Sequence, residues 1–399
     1  VVGVFAFAAG LNEMPGSWFT YDTAMSPATY QAMIALGATA AGLFTVLLVG
    51  FTLAAAESAT RAAFPHHLDW WKLWTYRGTA DVATRVAGGY AASTIAFAYV
   101  AIFYLATRSL LGWWVPSELL ADPNQIATPM PWISGIAVSL QAGVWEEALF
   151  RALPLSLLSL WVGQRPKRQW WMAGGVIVSA LIFGFAHSNY DSWPPYSRGV
   201  EIFLDACFWG VLFISFGLIV TVVAHFVYDL VLFGLFAATG SAVEYRISAA
   251  IIVLALLAPA LAVAWKWLRQ RGLTSAPDEA RFAAWTPPAQ TERVVPPAPV
   301  HAHTITPRAR QLAVAAALLG AFVAVARPPK PTLGPQFTAE RPRVVGVTDS
   351  VLRHRGVDPT GWRRLTNAAS DTLTPWRRFV RQHKLVPRAQ ELAASYLPP

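Results

Sequence analysis

The chain has 399 residues, of which 55% are apolar and only 13% charged, and its mean hydropathy is +0.41. A soluble globular chain carries about 25% charged residues, so this composition excludes an ordinary water-soluble fold and points to a membrane protein. The single cysteine, Cys207, excludes an intrachain disulfide and a cysteine-ligated metal cluster, which leaves a net charge of +9 to be located along the chain.

The chain opens VVGVFAFAAG with no Met and no preceding basic stretch, which reads as the tail of a helix whose beginning is missing, not as a signal peptide. Apolar runs follow at 31–56, 84–112, 132–161, 171–187, 200–217, 218–238 and 247–267, with a weaker one at 311–326. About 20 apolar residues cross the hydrocarbon core. The expected fold is therefore all-α, a polytopic transmembrane bundle of about eight or nine helices. The stretch 200–238 is long enough for two crossings with a turn near Gly217.

Charge in the connections sets the orientation. The segment around 57–84 carries Arg61, Lys72, Arg77 and Arg85, and 162–170 carries Arg165, Lys167 and Arg168. By contrast, 10–30 and 113–131 hold Glu13, Asp22, Glu118 and Asp122 and no Lys or Arg. The positive-inside rule then places 57–84, 162–170 and 268–308 in the cytoplasm. HLDWWKLWTYRG (67–78) reads as a short interfacial helix with Trp rings at headgroup depth, and His66 and His67 are expected to be solvated.

The bundle is expected to span 1–271. Residues 272–308 are Pro-rich without helical period, an extended linker in which His301 and His303 are expected to be solvated. Residues 309–327 read as one more transmembrane helix. The unit 328–399 is a small basic domain with twelve Lys and Arg against five Asp and Glu, so +7 of the chain's charge lies there. SVLRHRG reads as a helix closed by Gly356, and WRRFVRQHK and RAQELAASYL as further helices. No recognised nucleic-acid motif accompanies the charge, so the tail is expected to meet solvent, anionic lipid or an acidic partner in a membrane complex, not nucleic acid.

Three places put ionisable side chains inside apolar helices, where charge is costly and is by default a functional hypothesis. In LQAGVWEEALFRALPLSL, Glu147 and Arg151 are four apart in the favourable order for an intrahelical ion pair. Such a pair alone could simply pin helices together. It does not account for Glu146, about 100° round the helix, which is left without a local basic partner. In ALIFGFAHSNY, His187 closes the 171–187 run. In VTVVAHFVYDLVLF, His225 and Asp229 share one helical face, a pair suited to proton handling, metal ligation or a polarised dyad.

In order, these segments read EExxxR, FxxxH and HxxxD: EEALFR (146–151), FGFAH (183–187) and HFVYD (225–229). The set resembles the CAAX-protease and bacteriocin-processing family of intramembrane endopeptidases, over about residues 84–240. The resemblance implies that Glu146 and His187 hold and deprotonate the attacking water. His225 and Asp229 would face the carbonyl oxygen, and Glu147 with Arg151 would fix the geometry. Prenyl-protein members carry Asn at the position of Asp229, and an ionised Asp cannot donate the hydrogen bond that Asn can. Asp229 would then be protonated, orient His225, or bind a metal.

The reading is thus an endopeptidase acting on a membrane-presented peptide or protein substrate, with no cofactor expected. A zinc variant would use Glu146, His187, His225 and Asp229, although no HExxH is present. The alternative is a non-catalytic scaffold or accessory subunit of a larger membrane complex. A proton-coupled transporter would want charged or helix-breaking residues in more of the helices. High Ala, Arg, Trp and Pro content points to a bacterial chain, and so to the inner (cytoplasmic) membrane. If the three motifs form one site, Glu146 lies about 21 Å down its run, near mid-membrane. His187 falls near the outer end of its own run, which would draw the site towards the outer leaflet.

Overall fold

Local capping starts the long helices where the sequence changes character. The computed structural model describes residues 1–113, 128–188, 192, 194–234, 243–282, 306–326 and 341–362, with single positions at 364, 366, 379, 383 and 385. Helix α1 spans Val2–Asn12 and α2 spans Pro27–Ala63. Ser26 caps α2 by accepting the Thr29 N–H at 3.1 Å, and Pro27 occupies the first turn, where its missing N–H costs nothing. Thr79 caps α3 (Ala80–Leu111) in the same way through the Val82 N–H.

A continuous helical rod follows, from α4 (Pro131–Gln141) through two π-helical turns, Ala142–Glu146 and Ala148–Ala152, into α5 (Leu153–Val162). Next come α6 (Arg168–Ala186), α7 (Ser197–Phe216), α8 (Leu218–Gly234) and α9 (Val243–Gln270). Two further helices among the described residues are α10 (Pro307–Ala326) and α11 (Arg341–His354). Among the described residues there is no strand, and α2, α3, α6, α7 and α9 are long and apolar enough to cross a membrane. The polytopic helical bundle expected from the apolar runs is therefore what the chain forms. The turn between α7 and α8 falls at Gly217, whose φ of +87° is a conformation that glycine adopts without steric cost.

Small residues let the helices approach closely, which is how helices associate where lipid offers no hydrophobic gradient. Ala56 of α2 and Ala148 and Ala152 of the rod are completely buried together with Phe213. Two polar contacts add specificity to this seam: Thr60 Oγ1 lies 2.9 Å from Ser156 Oγ, and Trp145 Nε1 donates to Thr52 Oγ1 at 3.2 Å. Helix α8 packs on α3 and on the rod, which places it at the centre of the bundle.

The two ends of the bundle differ as the connection charges predict. At the acidic end, Asn12 bridges to Met130 through paired bonds of 3.0 and 2.9 Å, joining the end of α1 to the residue that precedes α4. At the basic end, the segment after α9 folds back on the 64–82 connection. Leu68 pairs with Arg281 and Thr79 with Thr274 in isolated bridges. Arg281 reaches Asp81 at 3.1 Å and the His66 carbonyl at 2.8 Å, while Lys72 Nζ donates to the Glu279 carbonyl at 2.7 Å.

This clasp corrects two expectations. Residues 272–282 are packed on the bundle and do not begin an extended linker. His67 is not solvated: it is buried, stacked on Phe64 with ring centroids 4.9 Å apart, and its Nε2 lies 3.1 Å from the Ile214 carbonyl. A local charge pattern gave no warning of a partner 147 positions away. His301, His303 and the rest of 283–305, Glu118 and Asp122, and the helices expected over WRRFVRQHK and RAQELAASYL lie outside the described residues, apart from Phe379, His383 and Leu385. In the tail, α11 ends before Gly356, as SVLRHRG implies, and Arg364 clips back onto Asp349 through bonds of 3.0 and 2.8 Å.

Candidate active site

The chemistry begins with the distortion of the rod. Pro154 has no N–H to give the Phe150 carbonyl one turn earlier. That carbonyl instead accepts a hydrogen bond from the Ser179 hydroxyl of α6. The two π turns, with Glu147 at the junction between them, carry the EEALFR motif. Single π turns inside α-helices are frequent at functional sites, and here two adjacent carboxylates leave the rod in different directions.

Glu147 points into the packed interior. Its side chain is 0% exposed, and Oε1 lies 3.1 Å from Arg151 Nη1 and 2.8 Å from His225 Nδ1. Glu146 retains 20% exposure and faces a cavity of about 150 Å³. His187, His225 and Asp229 line the same cavity. His225 is the hub of the group, with Nε2 3.8 Å from Glu146 and 3.5 Å from Asp229. The Trp209 ring stands edge-on to the imidazole, centroids 4.9 Å apart, so His225 is held by packing as well as by charge.

His187 caps the C-terminus of α6, and its Nδ1 lies 2.8 Å from the Phe183 carbonyl. A ring nitrogen facing a carbonyl must be the donor, so in the neutral ring Nε2 is left as the acceptor. Arg151 also borders the cavity, but its guanidinium is committed to Glu147 and lies 3.9 Å from the centre of the Phe183 ring. The phenylalanine of the FxxxH motif is thus the platform on which the arginine of EExxxR rests.

The motif residues therefore gather from three separate segments. They do so towards the acidic end of the bundle, since His187 ends α6 and Asp229 lies in the last turns of α8. The close approach of α6 to α7 depends on Gly184. A Cβ there would sit 2.7 Å from the Gly199 carbonyl oxygen and 2.8 Å from the Phe203 nitrogen, both immovable backbone atoms. We expect Gly184→Val to destabilise the bundle by about 1–3 kcal/mol or more through overpacking. It should also broaden the size-exclusion profile in detergent; an unchanged melting temperature would mean that this contact does not set the α6–α7 spacing.

One group of residues escaped the sequence reading. Arg198, Glu201 and Asp205 of α7 line the same cavity. Arg198 is ion-paired to Glu201, Tyr104 of α3 donates to Glu201 Oε2 at 2.8 Å, and Trp209 Nε1 donates to Asp205 Oδ1 at 3.0 Å. The signal was present: three ionisable residues at steps of three and four within an otherwise apolar helix, the same pattern that marked EExxxR. Among the described residues, no group of three or more His, Cys, Asp or Glu side chains is arranged to hold a metal ion.

Taken together, these features define a membrane-embedded helical bundle with a small polar cavity of acids and histidines at its core. Residues 128–231 match the family model described as type II CAAX prenyl endopeptidase Rce1-like. The chain is also 30% identical over 168 residues to the sporulation-killing factor biosynthesis protein SkfC of Bacillus subtilis (strain 168). That match covers 37% of this chain and 31% of the relative, so the chain spans under a third of its relative's length. No solved structure matches. The three motifs fall within the segment matched by the family model.

Proposed function

We propose that the chain is an intramembrane endopeptidase in which Glu146 and His187 activate a water molecule for attack on a peptide bond. The observation that carries this reading is the meeting of Glu146, His187, His225 and Asp229 around one cavity within the segment assigned to a protease family. Water held by the Glu146 carboxylate passes a proton to it as its oxygen bonds to the carbonyl carbon, while the His187 Nε2 lone pair accepts the second water hydrogen bond. When the C–N bond breaks, the leaving amine takes the proton back. Glu147 keeps the His225 ring oriented from behind through Nδ1. A positioned general base contributes about 10²–10⁴-fold in rate, and oxyanion donors are worth more where water is excluded.

The test is a comparison of membrane proteomes from cells carrying the parent chain and the Glu146→Gln variant. The variant should retain an uncleaved membrane protein that the parent processes, and a fluorogenic peptide spanning the cleaved bond should be hydrolysed by the purified parent alone. Identical proteomes and no retained protein would favour the scaffold reading. Because the donors do not form a three-ligand set, hydrolysis is expected to persist after treatment with a zinc chelator. Loss on chelation, with recovery on adding zinc back, would move the mechanism to a metal held by Glu146, His187, His225 or Asp229.

The same reading places the chain in a bacterial inner membrane, with the 283–305 segment cytoplasmic. Helix α10 then carries the 328–399 unit across, since long segments translocate largely regardless of charge. Cysteines introduced at His301 and Val347 of a Cys207→Ala background should react with an impermeant maleimide from opposite sides. Labelling from one side would show that α10 does not span.

A further inference from the structure

We propose that α11 docks by its valine face on the anionic surface of the bilayer that holds the bundle. The helix sorts its residues by face. Val344, Val347 and Val351 follow one another at steps of three and four, which puts them on one side. All three are exposed, Val347 by 58%, and so are Val357 and Trp362 in the turn that follows. Val345 and Leu352, on the neighbouring side, are half-buried. An outward row of valines edged by a tryptophan gains by leaving water.

Charge identifies what covers this face. Residues 341–362 hold four arginines, Arg341, Arg343, Arg353 and Arg355, and two acids. Both acids are engaged within the unit. Asp349 accepts two bonds from Arg364 at 3.0 and 2.8 Å, and Asp358 accepts from the N–H and hydroxyl of Thr360 at 3.0 and 2.7 Å. Arg343, Arg353 and Arg355 are exposed, so the charge offered outward is positive. Arg343 also stands in the first turn, where positive charge opposes the helix dipole, and an adjacent phosphate offsets both. An apolar stripe flanked by arginines, with Trp at its edge, is the pattern of a helix lying in the headgroup plane. The tether supplies the rest. Helix α10 lies against α3, where a Cβ at Gly320 would strike the Thr94 carbonyl and the Ala98 methyl. Fourteen residues separate Ala326 from Arg341, at most about 50 Å of chain. A bilayer surface within that reach stands at a high effective concentration, so a contact too weak to hold a free peptide suffices for a tethered one. Docking of this kind is reversible: a thiol on the face is slowed in its reaction with an aqueous reagent, not hidden from it.

The test places an environment-sensitive fluorophore on the full chain, in a Cys207→Ala background, at Val351→Cys or at Gly346→Cys. Gly346 lies about 140° round the helix from Val351. The purified chain is placed in nanodiscs of phosphatidylcholine, alone or mixed with phosphatidylglycerol. With phosphatidylglycerol present, the label at 351 should shift to the blue and be quenched by spin-labelled lipid, while the label at 346 stays open to aqueous iodide. In phosphatidylcholine alone, or at high salt, both labels should report water. Arg343→Gln with Arg355→Gln should weaken docking by about 25-fold, from about fivefold per charge near an anionic surface. Val344→Ser with Val347→Ser should abolish the lipid quenching although every arginine remains. Neither change touches the clip between Arg364 and Asp349. A label at 351 open to water in every nanodisc would overturn the proposal, as would one shielded equally with and without phosphatidylglycerol, which would mean that the face packs on the bundle. Shielding in native membrane vesicles but not in nanodiscs would assign the face to an acidic partner protein and overturn it likewise.

Discussion

Glu146→Gln is expected to lower peptide hydrolysis by about 10²–10⁴-fold, the contribution of a positioned general base, while the protein stays folded and inserted. The reason lies in how the two adjacent glutamates are used. Glu146 faces the cavity with 20% of its side chain exposed, and its 3.8 Å approach to His225 is a full ångström longer than the one Glu147 makes to the same ring, so the packing leans on Glu147. The amide is nearly isosteric, keeps a hydrogen-bonding oxygen, and loses only the capacity to take a proton from water. Turnover measured on detergent-solubilised protein, beside a thermal melt of the same sample, separates the two effects. Activity within threefold of the parent, with an unchanged melt, would remove Glu146 from the mechanism.

Arg151→Met is expected to behave in the opposite way. It leaves Glu147, with 0% exposure, as an uncompensated carboxylate among helices, and breaking a buried pair from one side costs about 3–5 kcal/mol. That is a large fraction of the roughly 5–15 kcal/mol that keeps a typical domain folded. The variant should therefore show reduced yield and a melting temperature many degrees lower, with activity lost as a consequence. Replacing both residues, Glu147→Met with Arg151→Met, should restore much of the stability, because two well-packed apolar side chains are often as stable as a buried ion pair. It should not restore activity, since the His225 ring loses its Nδ1 partner. An Arg151→Met protein that melts like the parent would mean that Glu147 is neutral or solvated in the membrane.

Much of this arrangement is legible in the sequence, for identifiable reasons. Apolar runs and charge alternation report directly on the bilayer, so the helical bundle and its two unlike ends follow from composition and spacing. Glu147 and Arg151 pair within one helix, and i,i+4 contacts are local by nature. What is not legible depends on contacts between distant segments. The burial of His67 against Ile214 and the clasp of 272–282 on 64–82 have no local signature. Nor does the role of His225 as the hub, because which carboxylate meets which imidazole is set by the phases of three helices. The cluster at Arg198, Glu201 and Asp205 is a different case: its spacing was readable but lay in a run already explained as a crossing. Pro154, too, announces a break in hydrogen bonding, although not that a serine on α6 repairs it.

The π turns carry one implication for chain length. A turn closed by an i→i+5 bond holds one residue more than a turn closed i→i+4. Between Ala142 and Ala152 the rod therefore contains residues that a regular helix over the same rise would not need. Deleting one of them would let the segment relax into an ordinary helix, with the flanking helices still able to pack. The two glutamates would then rotate by about 100° per residue relative to α8, and Glu146 would leave the cavity without any change in its identity. Spacing within this segment is thus as restrictive as side-chain chemistry, and a related chain with every motif residue present but one residue fewer before Pro154 would keep the bundle and lose the site.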